Sequence, residues 1–166
     1  MVTNAYWGIK LGMKAFVIYD SKYGNTRLVA EQIVLGLGEV EGFEAAIGYA
    51  KEVDPQNLVA FDVLIFGAPN HMGKPSRTIT KFVDQVATFE LNAKRVAAFD
   101  TYFQRKRNFE KATKKLEKHI NKKLPNLKLI TPGLSIRVTG VNGPVADGEL
   151  SKAKLFGKKT ASLLTS

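Results

Sequence analysis

Three short segments of this chain combine residue types that chemistry can use. The first is Ser21-Lys22-Tyr23-Gly24-Asn25-Thr26, a polar stretch between an apolar run and a helical pattern. Backbone N–H groups at a helix N-terminus can surround an anion, and the helix dipole favours negative charge there. Ser21, Asn25 and Thr26 can add side-chain hydrogen bonds, while Lys22 and Arg27 add positive charge. The same residues also fit an ordinary strand–helix turn with Thr26 as N-cap. The second segment, residues 68–76, holds Pro69, Asn70, His71, Met72, Gly73 and Pro75. Two prolines stiffen it, and Gly73 leaves one peptide free to rotate. The third, Asp100-Thr101-Tyr102-Phe103, sets two aromatics at the end of a strand, where they can hold a flat conjugated ring or simply pack into the core.

Other chemistries lack their residues. The chain has no cysteine, so thiolate metal sites, iron–sulfur ligation, disulfides and a cysteine nucleophile are excluded. His71 and His119 are far apart and have no neighbours at metal-ligand spacing, so no metal site is expected. GxSxG and GxxxxGK[ST] are absent. Gly36-Leu37-Gly38 closes a helix where a dinucleotide fingerprint would open one. A phospho-receiver site would need clustered carboxylates, and Gly67-Ala68-Pro69 supplies none. No catalytic residue is assigned.

The elements that must carry these segments alternate. Ala15 to Tyr19 is a continuous apolar run, as in a strand buried on both faces. Val29, Ile33 and Leu37 recur at helical spacing, with Gly36, Gly38 and Gly42 marking the helix end. Phe43 to Tyr49 reads as an edge strand, and Asp54-Pro55 starts a short helix. Val63 to Phe66 and Arg95 to Phe99 are further strands, separated by a helix carrying Ile79, Phe82, Val83 and Val86 on one face. Phe109, Ala112, Leu116 and Ile120 form the apolar stripe of a basic helix. Leu127 to Ile130 and Ser135 to Val138 make a split fifth strand, and Leu150, Ala153, Phe156 and Leu163 mark a last helix over 149–164. Such alternation implies parallel strands with right-handed crossovers. The expected fold is α/β: a three-layer α/β/α sandwich with a five-stranded parallel sheet in the order 2-1-3-4-5. The loops after strands 1, 3 and 4 would then converge beyond the C-terminal strand ends, where such sheets bind ligands.

Whole-chain numbers fit one globular domain. There are 166 residues, 45% of them hydrophobic. Residues 1–12 read as an N-terminal extension to a domain over 13–166. No apolar run approaches the roughly 20 residues that span a bilayer, and the default location is cytoplasmic. The formal net charge is +10, and the stretch from Lys94 to Lys128 carries nine of those charges.

In order and content, the three segments resemble the flavin-binding loops of the flavodoxin family. Ser21 to Thr26 is similar to its phosphate loop, and Gly67 to Gly73 to its second loop, often G-S-P-T-x-x-G. Asp100 to Phe103 lies where its third loop belongs. The resemblance covers about residues 13–164 and implies FMN as cofactor. Ser21, Lys22, Tyr23, Gly24, Asn25 and Thr26 would then hold the phosphate. Pro69, Asn70, His71, Met72 and Gly73, with Asp100, Thr101, Tyr102 and Phe103, would flank the isoalloxazine, Tyr102 as stacking partner. The Met72-Gly73 peptide is the expected mobile one. Tyr23 departs from the usual Thr or Ser and is nearer to flavodoxin-like domains of quinone reductases and diflavin oxygen-reducing proteins. The basic charge departs from the acidic habit of flavodoxins. It implies an acidic redox partner, ferredoxin-like or a reductase, docking near Arg105, Lys106 and Arg107. The resulting expectation is an FMN-binding electron carrier. Its alternatives are a flavin-dependent oxidoreductase of quinones or other small molecules, and a basic-surface binder without flavin. The lysines beside the apolar stripe fit a solvated face better than a nucleic-acid interface.

Overall fold

The structure, a computed structural model, describes residues 12–103 and 112–165. Strand β1 (Met13–Tyr19) leads through the first loop to helix α1 (Asn25–Gly38) and edge strand β2 (Phe43–Tyr49). A single 3-10 turn (Pro55–Leu58) follows, capped by Asp54, whose carboxylate accepts from Gln56 N at 3.0 Å. Then come β3 (Val63–His71), the two-residue β4 (Lys74–Pro75), α2 (Arg77–Val86), β5 (Arg95–Tyr102) and α3 (Ala112–Lys123). The chain closes with β6 (Lys128–Leu129), β7 (Leu134–Arg137) and α4 (Glu149–Thr165).

The sheet runs β2-β1-β3-β5-β6, with β7 also pairing β5, and every one of these pairings is parallel. This is the expected 2-1-3-4-5 order, its last strand split into β6 and β7. The short β3–β4 pairing is antiparallel.

Because side chains alternate across a strand, each central strand feeds two cores. Phe16, Ile18, Leu64, Phe66, Val96 and Ala98 face α2 and α3, meeting Ile79, Phe82, Val83, Val86, Leu116 and Ile120. Ala15, Val17, Val63, Ile65, Ala97 and Phe99 face α1 and α4, meeting Val29, Ile33, Leu37 and Ala153. The continuous apolar runs of the sequence are the consequence of this two-sided burial.

Three sequence expectations change. The strands at 63–66 and 95–99 continue to His71 and Tyr102, because Ala68↔Asp100 and Pro69↔Thr101 extend their pairing beyond the apolar stretch. Gly36 does not end α1: it is buried inside the helix, where its missing side chain admits the backbone of α4. Leu163 is exposed, and α4 instead buries Ala153, Gly157, Thr160 and Ala161, a face small enough for close approach to α1.

Candidate functional site

The site is built at the C-terminal ends of β1, β3 and β5. The first loop leaves β1 at Tyr19 and turns through Gly24, the N-cap of α1, at φ 88°. Thr26 is therefore not the N-cap, and Gly24 offers no side-chain cap. Its conformation lies in the region that suits glycine, and nothing lies within 4 Å of where a β-carbon would point. Ser21 Oγ accepts from Gly24 N at 3.1 Å and from Arg27 N at 3.4 Å. The first-turn N–H groups of Asn25 and Thr26 have no intrahelical acceptor, as at any helix start. The loop thus leaves open space over Gly24 at a positive helix end. Tyr23 stands 48% exposed beside it, with Lys22 Nζ 5.3 Å from its ring centroid. Arg27 turns to Glu31 on the next helical turn, Nε to Oε1 at 3.1 Å.

The second segment is a hairpin. β3 runs out through Gly67, Ala68, Pro69, Asn70 and His71, then returns as Lys74–Pro75. Met72 and Gly73 form its two-residue turn, with φ 53° and 85°. Both positive values give a turn whose twist matches the antiparallel pair. Asn70 Oδ1 accepts from Gly73 N and locks the turn. Met72 is 78% exposed at the tip and His71 is exposed beside it.

The third segment is the end of β5 itself. Asp100 is fully buried, and its Oδ2 accepts from Thr113 N at 2.8 Å, tying the strand to the start of α3. Thr101 is buried too, and its hydroxyl meets that of Thr26 at 2.8 Å. Tyr102 is half-buried and Phe103 exposed.

Beyond the pairing of Ala68 with Asp100 and Pro69 with Thr101, two hydrogen bonds tie the segments together. Thr26 to Thr101 ties the helix start to β5, and Asp20 N donates to Gly67 O at 3.0 Å, tying the first loop to β3. The convergence expected of the strand order is therefore physical. Thr26 and Asp100 have their side chains engaged within the protein, whereas Tyr23, His71, Met72 and Phe103 line the solvent side. Tyr19, at the root of the site, stacks on Tyr49 at 5.7 Å. Burial pushes its phenol above the ordinary tyrosine range, against the opposing pull of Arg27. Arg105, Lys106 and Arg107 lie outside the described residues. Among the described residues no group of three or more His, Cys, Asp or Glu could hold a metal ion.

A fourth segment, absent from the sequence reading, also reaches the site. Residues 138–148 connect β7 to α4, and Gly143 lies against the side chain of Asn25. Asn142-Gly143-Pro144 has the composition of a turn, but nothing local in it points to residue 25.

The family model and the curated relatives agree on one family. The flavodoxin family model matches residues 17–134. A flavodoxin of Aquifex aeolicus (strain VF5) is 34% identical over 73 residues, which are 44% of this chain and 40% of that protein. A flavodoxin of Clostridium saccharobutylicum is 33% identical over 89 residues, 54% of this chain and 56% of that protein. The chain thus spans about half the length of the curated relatives it matches. Among solved structures, a flavodoxin from the domain Archaea superposes with a TM-score of 0.75 at 22% identity, covering 93% of this chain and all of that one.

Proposed function

The chain belongs to the flavodoxin family, and on that premise we propose that it binds FMN across these segments and carries electrons between redox proteins. The observation that carries the reading is the pair of bonds, Thr26–Thr101 and Asp20–Gly67, that draws the helix start, β3 and β5 to one place. The residues fit the group. The open space over Gly24, at the N-terminus of α1, suits a dianionic phosphate. Ser21, Lys22, Tyr23, Asn25 and the N–H groups of Asn25 and Thr26 would hold it. Tyr102 and Phe103 on one side and the Pro69–Gly73 hairpin on the other would clasp the ring. Bound flavin supplies the redox chemistry; the protein supplies position, shielding from water and electrostatics. No side chain need act as general acid or base.

The test is titration of the purified protein with FMN, followed by flavin fluorescence. We expect quenching and a desalting-stable yellow complex. Tyr102→Ala should weaken FMN binding by roughly tenfold, the worth of an aromatic stack. No quenching at micromolar protein would refute the reading.

Tyr23 supports a second reading, a flavin-dependent reductase of quinones or other small molecules. Its exposed ring is an aromatic in the first loop that a carrier does not require. NADH-driven turnover of a quinone by the FMN-loaded protein would favour the enzyme, and its absence the carrier.

A further inference from the structure

We infer that the β7–α4 connection is a working part of the phosphate subsite, with Gly143 as the positioning residue that fixes the side chain of Asn25. The inference rests on the FMN reading above.

Asn25 is the first residue of α1, where the first loop meets the helix N-terminus. Against its side chain lies Gly143. A β-carbon on Gly143 would overlap Asn25 Oδ1 and lie 2.6 Å from Nδ2 and 2.8 Å from Cγ, well inside van der Waals distance. The amide is thus seated directly on the glycine backbone. That backbone cannot easily retreat. Thr139 N and Oγ1 both donate to Pro144 O, at 2.9 and 3.1 Å, and Gly143 N donates to Gly140 O at 3.0 Å. Val138 bridges Val145, and Ala146 N donates to Arg137 O at 3.0 Å. The base of the loop is also tied to the third segment, since Val138 N donates to Tyr102 O at 2.8 Å. One stiff loop therefore joins Asn25 at the helix start to Tyr102 at the end of β5. A side chain held in one rotamer binds an anion with less entropy loss than a mobile one. Any residue but glycine at 143 must displace the amide.

The structure contains a matched control. Gly143 has φ +89° and Gly148, in the same connection, has φ +79°, but a β-carbon on Gly148 would meet nothing within 4 Å. Both Ala variants place a β-carbon at positive φ; only Gly143→Ala strikes Asn25.

The experiment measures dissociation constants of FMN and riboflavin for wild type, Gly143→Ala, Gly148→Ala, Asn25→Ala and the Asn25→Ala/Gly143→Ala double variant. Riboflavin lacks the phosphate, so the ratio of the two constants isolates the phosphate subsite. We expect Gly143→Ala and Asn25→Ala each to weaken FMN about tenfold, one hydrogen bond to a charged group, with riboflavin unchanged. Gly148→Ala should alter neither ligand. The double variant should bind FMN as Asn25→Ala does, because no amide remains to be displaced. In the flavin-free protein, the Asn25 side-chain amide resonances should move in Gly143→Ala and stay in Gly148→Ala. The inference falls if Gly143→Ala leaves FMN affinity intact, if it weakens riboflavin equally, if Gly148→Ala has the same effect, or if the Asn25 amide is indifferent to residue 143. Wild-type protein that binds neither flavin would overturn the FMN reading, and the subsite with it. That result is distinct from each of these, in which wild type binds FMN.

Discussion

Glu117 shows how a single residue can work against the fold. It lies on α3 among lysines, yet its Oε2 is buried with no hydrogen-bond partner among the described residues. Burial raises its carboxyl above the ordinary glutamate range, more than the Gly133 backbone N–H and Lys114 lower it. A folded-state pKa above the unfolded one means that the native state holds the proton more tightly. That contribution is complete below the unfolded value and disappears as pH rises through the folded one. Ionised Glu117 is therefore a cost at neutral pH. Glu117→Gln should raise the melting temperature at pH 7, and the gain should shrink as pH falls toward the ordinary glutamate value and be smallest below it. A gain of equal size at pH 7 and pH 3.5 would mean that ionisation is not the cause. Side-chain partners of this kind were not legible in the sequence. Thr26 reads there as a phosphate ligand or a helix cap, and its hydroxyl is in fact joined to Thr101, a residue 75 positions away. Composition and spacing report local preferences, whereas that bond exists only once β1 and β5 lie in one sheet.

At the scale of elements, the packing of α1 on α4 depends on two glycines. A β-carbon on Gly36 would overlap the Lys154 carbonyl oxygen and lie 2.9 Å from Lys158 N; one on Gly157 would overlap the Ile33 carbonyl oxygen. Both obstacles are backbone, which cannot rotate aside. Lys154 Nζ then reaches Glu39 Oε1 at 2.8 Å, and this bond lowers the Glu39 carboxyl below its usual range. Gly36→Ala must push the helices apart and should cost about 1–3 kcal/mol, as overpacking does. At about 2–4 °C per kcal/mol for this chain length, the melting temperature should fall by several degrees. Gly38, near the same helix end, has open space around it, so Gly38→Ala should be neutral or stabilising. Equal effects of the two substitutions would show that helix propensity, not contact, governs. The elements themselves were largely legible, because strand runs and helical spacing follow directly from two-sided and one-sided burial. The loops were less so. Residues 69–71 carry no apolar run, and only pairing with neighbours makes them strand; the turn at Met72-Gly73 is invisible without that pairing.

The molecule as a whole carries a formal charge of +10, nine of those charges between Lys94 and Lys128. Part of that stretch is α3, which buries Ala112, Leu116 and Ile120 and leaves Lys114, Lys118, Lys122 and Lys123 exposed. The helix is tied to the third segment through Asp100 and Thr113. Its cationic face therefore flanks the site from which electrons would leave. Opposite charge speeds encounter and like charge slows it, and salt screens both over about 10 Å at 0.1 M. For the reduced, FMN-loaded protein, transfer to an acidic iron–sulfur protein should slow by roughly tenfold as salt rises from low to physiological strength. Transfer to a basic haem protein should quicken over the same range. Replacing Lys114, Lys118 and Lys122 by Gln should flatten both salt dependences far more than it alters FMN affinity, since all three are exposed. A steep slope that survives the triple replacement would move the docking face away from α3. Salt dependence of the opposite sign would show that the partner is recognised by something other than the charge that distinguishes this chain, because a repulsive field cannot steer a productive encounter.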